Sequence, residues 1–220
     1  MTTIIHSHGQ DTHMSTDAAF WDKVAAKYAA RKVGNPTAYE ETLAETIAHL
    51  GANDRVLELG CGTGTTALKL APHVKSMVAS DISTEMIAIA EQKRQAEGAE
   101  NVRFVAAGLA EAGADEGPFD TVLAFNLLHL VADLDEALAT IHARIRPGGL
   151  FISKSGCIGE MNVLFRPLIR AMQLIGRAPY VRIMKKPELE AAIVGAGFVL
   201  EQSRCFTGAP ESLYIVVRRP

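Results

Sequence analysis

The feature that most constrains the fold is an alternation of strand-like and helix-like segments that starts near residue 16. Strand–helix repeats of this kind predict a parallel sheet with helices on both faces. The predicted strands are 56–60, 74–80, 102–106, 121–126, 150–155, 198–206 and 211–218. The predicted helices are 17–32, 38–50, 64–71, 83–97, 133–145 and 186–196.

The last two strands depart from this alternation, because only the segment TGAP (207–210) separates them. A parallel crossover needs a dozen or more residues, so these two strands are expected to form an antiparallel hairpin. The sequence therefore predicts an α/β, Rossmann-like fold. Its seven-stranded, mostly parallel sheet carries helices on both faces and ends in an antiparallel C-terminal hairpin.

Length and composition indicate one globular domain. The chain has 220 residues, of which 48% are hydrophobic and 21% charged. A net charge of −3 gives no electrostatic reason to expect nucleic acid as a partner. The three cysteines lie far apart, which is typical of reduced thiols in a cytoplasmic protein. No apolar run is long enough for a membrane-spanning helix, so no integral membrane contact is expected.

The first fifteen residues are polar, without periodicity, and contain His6, His8 and His13. Nothing in the pattern fixes the geometry of these histidines, so we interpret residues 1–15 as a flexible tail and predict no metal site. The single domain is then expected to span 16–220.

A glycine-rich loop follows the first predicted strand in the segment VLELGCGTGTT (56–66). The dinucleotide fingerprint GxGxxG would need a glycine at position 65, where the chain has Thr65. Glu58 would repel a pyrophosphate but would suit a ligand that carries an ammonium and a sulfonium group. Asp81 follows the second strand, where an acidic residue accepts hydrogen bonds from ribose hydroxyls. The loop therefore argues against a nicotinamide dinucleotide.

Four motifs occur in a fixed order: ELGCGTG (58–64), Asp81, FDTVLAFNLLHLV (119–131) and RPGGLFIS (146–153). With the terminal hairpin, they resemble the class I S-adenosylmethionine (SAM)-dependent methyltransferases, in particular the small-molecule group of the methyltransferase 11/25 type. The resemblance extends over residues 20–218. It implies SAM as the methyl donor, S-adenosylhomocysteine (SAH) as its product, and a small-molecule acceptor.

The resemblance also implies a cofactor site. The loop would pass beneath the methionine portion of SAM, Asp81 would hold the ribose, and Asn126 would lie beside the methionyl group. An acidic residue of the family that accepts from the adenine amino group is replaced here by Gly108, so backbone near Gly108 is expected to take that contact. The predicted cofactor-binding residues are Glu58, Gly60, Cys61, Gly62, Thr63, Gly64, Asp81, Ile82, Met86, Gly108, Leu109, Asn126 and Leu127.

Methyl transfer from a sulfonium is an in-line displacement, so the protein must mainly align the reacting atoms and exclude water. A general base is needed only for an acceptor that must lose its proton early. The candidate is His129, near the carboxyl edge of the predicted sheet. Structural packing is the alternative role for this histidine.

Two segments outside the core are expected to select the acceptor. The N-terminal cap helices (16–50) contain Trp21, Tyr28 and Tyr39, which either contact substrate or pack in the core. An insertion (156–185) is rich in large apolar residues, including Phe165, and has basic flanks. It fits a lid over an apolar, aromatic or amphiphilic acceptor, with an anionic group also compatible. A dimer interface or a membrane-touching surface remains open, as does the choice between monomer and homodimer.

The sequence thus favours a SAM-dependent methyltransferase that acts on a small molecule. One alternative is a SAM-binding regulatory protein without transferase activity, and another is an NAD(P)-linked oxidoreductase. Nucleic acid is not expected as the acceptor, since no basic groove is evident and residues 126–129 (NLLH) lack the NPPY-type tetrad of amino-methylating nucleic-acid enzymes.

Overall fold

The computed structural model describes residues 8–160, 165–174 and 178–220. The helices in these ranges are α1 (His8–Ala29), α2 (Pro36–His49), α3 (Thr65–Leu70), α4 (Thr84–Glu97), α5 (Leu134–Arg144), α6 (Phe165–Leu174) and α7 (Lys186–Gly195). The strands are β1 (Arg55–Leu59), β2 (Ser76–Asp81), β3 (Val102–Ala106), β4 (Phe119–Phe125), β5 (Ile145–Gly156), β6 (Val199–Phe206) and β7 (Ala209–Arg218).

The seven strands form one sheet in the order β3-β2-β1-β4-β5-β7-β6. Strands β1 to β5 pair in parallel, whereas β7 lies between β5 and β6 and runs antiparallel to both. Phe206 pairs with Ala209, so Thr207 and Gly208 alone make the turn of the hairpin. The predicted fold class is confirmed, including the antiparallel C-terminal hairpin.

The strand order reverses at β1, because the chain goes outward to β2 and β3 and then returns to place β4 on the other side of β1. In open α/β sheets, ligands bind outside the carboxyl ends of the strands at such a reversal. The topology therefore directs attention to the ends of β1, β2 and β4.

Buried side chains on the two faces of the sheet form two hydrophobic clusters. Leu57 and Leu59 of β1 pack in a cluster that includes Leu138 of α5. Val56 points to the opposite face, where Leu43 of α2 belongs to the same cluster. This alternation follows from the two-residue period of a strand and explains why β1 is apolar on both faces.

Two local features differ from the sequence-based expectation. Helix α1 begins at His8, so residues 8–15 are helical although we expected a tail there. Residues 146–149, which precede the predicted strand 150–155, lie within β5, where the pairing jumps from Phe119–Ile145 to Thr121–Leu150. The rest of the expected tail, including His6, lies outside the described residues, and the domain boundaries remain predictions.

Across the described ranges, none of the helices combines the length and the apolar character that a membrane crossing requires.

Leu138→Ala tests the core cluster on the α5 face. Leu138 has no exposed surface, so its truncation should lower the free energy of unfolding by about 2–5 kcal/mol in urea denaturation. Val194→Ala on α7 is the control, because Val194 is 44% exposed, and its effect should stay within about 0.5 kcal/mol. Equal losses for the two variants would contradict this assignment of the core.

Candidate functional site

A cavity of about 370 Å³ opens at the carboxyl ends of β1, β2 and β4. Each of these strand ends contributes residues to its wall. They are Gly60 and Gly62 after β1, Asp81 and Ile82 at the end of β2, and Asn126 and Leu127 after β4. The cavity therefore lies where the reversal of strand order predicts a ligand site.

The glycine loop requires glycine for steric reasons at two positions. Gly60 has a φ of +67°, and a Cβ atom there would lie 2.9 Å from Cδ1 of Leu127. Gly64 has a φ of +75°, and a Cβ atom there would lie 2.6 Å from Cζ of Phe104. Side chains at these positions would strain the backbone and push the loop away from its neighbours. The loop is thus fitted closely against β3 and the segment after β4.

Asp81 connects this loop to the start of α4. Its Oδ2 accepts a hydrogen bond from the backbone N–H of Gly62 at 2.9 Å, and its Oδ1 accepts one from the N–H of Ser83 at 3.0 Å. Burial raises the pKa of Asp81, and these hydrogen bonds partly offset that effect. The carboxylate both fixes the loop and faces the cavity.

Lys93 of α4 holds the loop from its other end. Its Nζ donates to the carbonyl and hydroxyl oxygens of Thr63 at 3.0 and 2.9 Å, and to the hydroxyl of Thr65 at 2.9 Å. Sequence reasoning missed Lys93, because a lysine on an amphipathic helix carries no signal of a partner thirty residues away. Thr65, which breaks the dinucleotide fingerprint, therefore has a structural role as an acceptor for Lys93.

Glu58 on β1 is a buried acid with an unused acceptor. It is 2% exposed, and its Oε2 has no hydrogen-bond partner within the described part of the chain. Burial, together with the nearby charge of Asp81, raises the pKa of Glu58 to about 8. Glu58 does not line the cavity itself. An unpaired buried acceptor is costly, so Glu58 is a candidate to accept from a donor that the described residues do not supply.

Asn126 is the one residue other than glycine with positive φ in the described ranges, at +55°. Its backbone N–H donates to the carbonyl of Lys154 at 2.6 Å. Asparagine tolerates this left-handed conformation better than most residues, and such strain concentrates at functional sites. The conformation holds Asn126 and Leu127 in the cavity wall.

The other predicted cofactor residues divide into two groups. Met86 and Leu109 line the cavity, whereas Cys61, Thr63, Gly64 and Gly108 do not. Gly108 lies between two lining residues, Ala107 and Leu109. Burial raises the pKa of the Cys61 thiol well above its usual value, so this cysteine is not an activated nucleophile.

Only some of the predicted substrate residues line the cavity. Trp21 and Tyr28 line the cavity, and their rings meet edge to face with centroids 6.3 Å apart. Tyr39 does not line it: its hydroxyl lies 3.4 Å from the Thr66 hydroxyl and the Lys69 ammonium lies over its ring. The expectation for Tyr39 is therefore corrected to packing against α3. The side chain of Phe165 lies outside the described part of the structure.

His129 does not line the cavity, although its neighbours Leu130 and Val131 do. Its Nδ1 is buried without a hydrogen-bond partner in the described residues, and desolvation lowers the pKa of the ring to about 4. A base this weak, with no carboxylate to orient it, is poorly suited to general base catalysis. The structure thus argues against the catalytic role expected for His129.

Sequence reasoning missed part of the cavity wall. Pro179 and Tyr180, from the end of the insertion, line the cavity. The Arg182 side chain donates to the carbonyls of Val131 and Ala132, and so fixes the insertion to the segment after β4. The sequence around Tyr180, an aromatic residue that follows a proline, contains no pattern that would have selected it.

The central part of the chain matches a known family. Residues 56–149 match the family model described as a methyltransferase domain. A ubiquinone biosynthesis O-methyltransferase of Rhizobium johnstonii is 32% identical over 149 residues, which are 65% of this chain and 59% of that protein. The tRNA 5-carboxymethoxyuridine methyltransferase of Escherichia coli K12 is 33% identical over 113 residues, which are 50% of this chain and 43% of that enzyme. The chain thus spans about half the length of these two relatives.

Solved structures share the fold over nearly the whole chain. The N-methyltransferase NodS from Bradyrhizobium japonicum WM9, in complex with SAH, aligns with a TM-score of 0.68 and 18% identity. The alignment covers 91% of this chain and 98% of NodS. Residues 56–149 thus resemble a methyltransferase domain, and the chain shares the fold of a solved methyltransferase structure.

Proposed function

We propose that the cavity at the ends of β1, β2 and β4 binds SAM and presents its methyl group to a small-molecule acceptor. The observation that carries this proposal is the convergence of the glycine loop, Asp81 and Asn126 on one cavity, with the unpartnered acid Glu58 two residues before the loop.

The residues present fit the parts of SAM. Glu58 has a buried acceptor for the ammonium group of the methionine portion, and Asp81 faces the cavity with a carboxylate for the ribose hydroxyls. Ile82 and Met86 give the apolar wall that an adenine ring requires, and Leu109 extends it. Bound SAM supplies an electrophilic methyl group on a sulfonium. The task of the chain is then to orient it and to exclude water.

The sequence offers His129 as the candidate general base. His129 is withdrawn from the wall. We therefore propose transfer by proximity and orientation, in which the acceptor loses its proton to solvent or needs to lose none.

The charged residues of the cavity wall indicate which acceptor charge the cavity favours. Every charged residue that lines the cavity within the described ranges is acidic: Asp17, Asp81, Glu111, Asp133 and Glu136. Trp21, Tyr28 and Tyr180 add aromatic surface. Carboxylates disfavour an anionic acceptor and, with aromatic rings, favour neutral or cationic ones. This disfavours the anionic group that the basic flanks of the insertion had left open.

A tRNA acceptor is the second candidate, since one relative is a tRNA methyltransferase. Nucleic-acid sites need positive charge along the phosphate path. The acidic wall of the cavity favours the small-molecule proposal, and incubation with bulk tRNA provides the direct comparison.

The test is incubation of the protein with methyl-labelled SAM and, in parallel, a metabolite extract and bulk tRNA. Label in a small molecule is expected. Label in tRNA alone would contradict the acceptor class, and tight SAM binding without labelled product in either sample would favour a regulatory SAM-binding protein.

Matched acceptors test the charge of the wall. Among compounds that differ only in carrying an amine, a hydroxyl or a carboxylate distant from the methylated atom, the carboxylate should be the poorest substrate. Its kcat/KM should be lower than that of the amine by about fivefold or more, since one unfavourable charge contact costs at least about 1 kcal/mol. The proposal is contradicted by a preference for the carboxylate.

Glu58→Gln tests the ammonium contact. The pKa of Glu58 is about 8 in the ligand-free protein, and a bound ammonium favours the carboxylate, so SAM affinity should rise as pH increases toward that value. Glutamine cannot titrate, and the variant should lose this rise and bind SAM about tenfold more weakly above it. Calorimetric titrations over a pH series measure both effects. An unchanged pH dependence in the variant would exclude Glu58 from the contact.

A comparison of Gly64→Ala with Gly98→Ala distinguishes the effect of displacing the glycine loop from the effect of backbone strain alone. Both glycines have positive φ, but a Cβ atom at Gly98 would meet no atom within 4 Å, whereas one at Gly64 would meet Phe104. Each variant should lose about 1 kcal/mol of stability from strain. Gly64→Ala alone should weaken SAM binding, by about tenfold. Similar SAM affinities in both variants would show that the loop tolerates displacement.

A further inference from the structure

The side chain of Asp22 extends from α1 to the start of α4. Its Oδ1 accepts a hydrogen bond from the hydroxyl of Ser83 at 2.6 Å and another from the backbone N–H of Glu85 at 3.1 Å. Hydrogen bonds to a carboxylate are stronger than those between neutral groups. Asp22 therefore fastens α1 to the beginning of α4.

Ser83 links this contact to the cofactor wall. It has no exposed surface, and its hydroxyl also accepts from the N–H of Met86 at 3.1 Å, which makes it the N-cap of α4. Ile82 and Met86 line the cavity on either side of it in sequence. Asp22 thus holds α1 beside the junction between β2 and α4, and residues on both sides of that junction line the cavity.

Helix α1 also supplies part of the cavity wall. Asp17, Trp21 and Tyr28 of α1 line the cavity, and their spacing of four and seven residues places them on one helix face. Trp21 is adjacent to Asp22 in sequence. A movement of α1 away from α4 would withdraw these residues together.

We propose that Asp22 is a positioning residue, which holds α1 against α4 so that Trp21 and Tyr28 close the cavity. The inference rests on the proposed function, because it assigns this cavity to SAM and its acceptor. It adds that the aromatic wall is held in place by one carboxylate. Asp22 contacts Ser83, whose backbone N–H donates to Asp81, so SAM binding should depend on Asp22 as well as acceptor binding.

Trp21 provides a direct readout, since it is the single tryptophan of the chain. Asp22→Ala should increase the acrylamide quenching constant of Trp21 fluorescence by about twofold or more in the ligand-free protein, because the helix is no longer fixed. With an acceptor identified, KM for the acceptor and Kd for SAM should each rise by about tenfold, because Trp21 and Tyr28 line the cavity.

Asp22→Asn is the matched control, because both hydrogen bonds end on Oδ1 and an amide oxygen can accept them. It should resemble the unaltered protein in quenching and in KM. Lys23→Ala alters the neighbouring, exposed residue of α1 and should change neither. Thermal melts of all variants show whether each is folded.

Quenching and KM in Asp22→Ala that equal those of the unaltered protein would overturn the proposal, as would an asparagine variant as impaired as the alanine variant. If Asp22→Ala fails to fold, Asp22→Glu gives the same decision, because it displaces the carboxylate by one methylene and should still increase quenching. Quenching is measured without cofactor or acceptor. It therefore tests the role of Asp22 even if no methyl transfer is found. Methyl transfer together with unchanged quenching would refute the role of Asp22 and leave the proposed function intact.

Discussion

Asp81 accepts hydrogen bonds from the glycine loop after β1 and from the start of α4. A single carboxylate at the end of β2 thereby sets the positions of two elements that the sheet alone would leave independent. Lys93 fastens the far end of the loop to the same helix. The shape of this side of the cavity depends on these two polar residues and on the close fit of the loop at Gly60 and Gly64.

The cavity combines a rigid side and an attached side. The rigid side consists of strand ends within a sheet whose core side chains are fully buried. The other side comes from α1 and from the end of the insertion. Hydrogen bonds of Asp22 and Arg182 attach these two segments to the rest of the fold. This division suits an enzyme class in which the methyl donor is constant and the acceptor varies. Its chemistry needs alignment more than it needs a catalytic side chain.

Most of the fold followed from the sequence, because apolar periodicity and turn residues determine strands, helices and the terminal hairpin locally. Gly60 and Asp81 could be selected because they lie at strand ends, and strand ends meet at one edge of a parallel sheet, whereas Ile82 and Asn126 came from the family resemblance. The roles of Lys93, Asp22 and Tyr180 could not, since each depends on a contact across the fold that leaves no local pattern. Tyr39 and His129 show the converse: a suitable residue type in a suitable segment does not determine which way its side chain points.

A crystal structure of the protein with SAH tests the central claim most directly. The account predicts that the amino group of SAH donates to the Glu58 carboxylate, that the ribose hydroxyls donate to Asp81, and that the adenine lies between Ile82, Met86 and the segment at Leu109. SAH bound elsewhere, or bound in this cavity with Glu58 still without a donor, would contradict it.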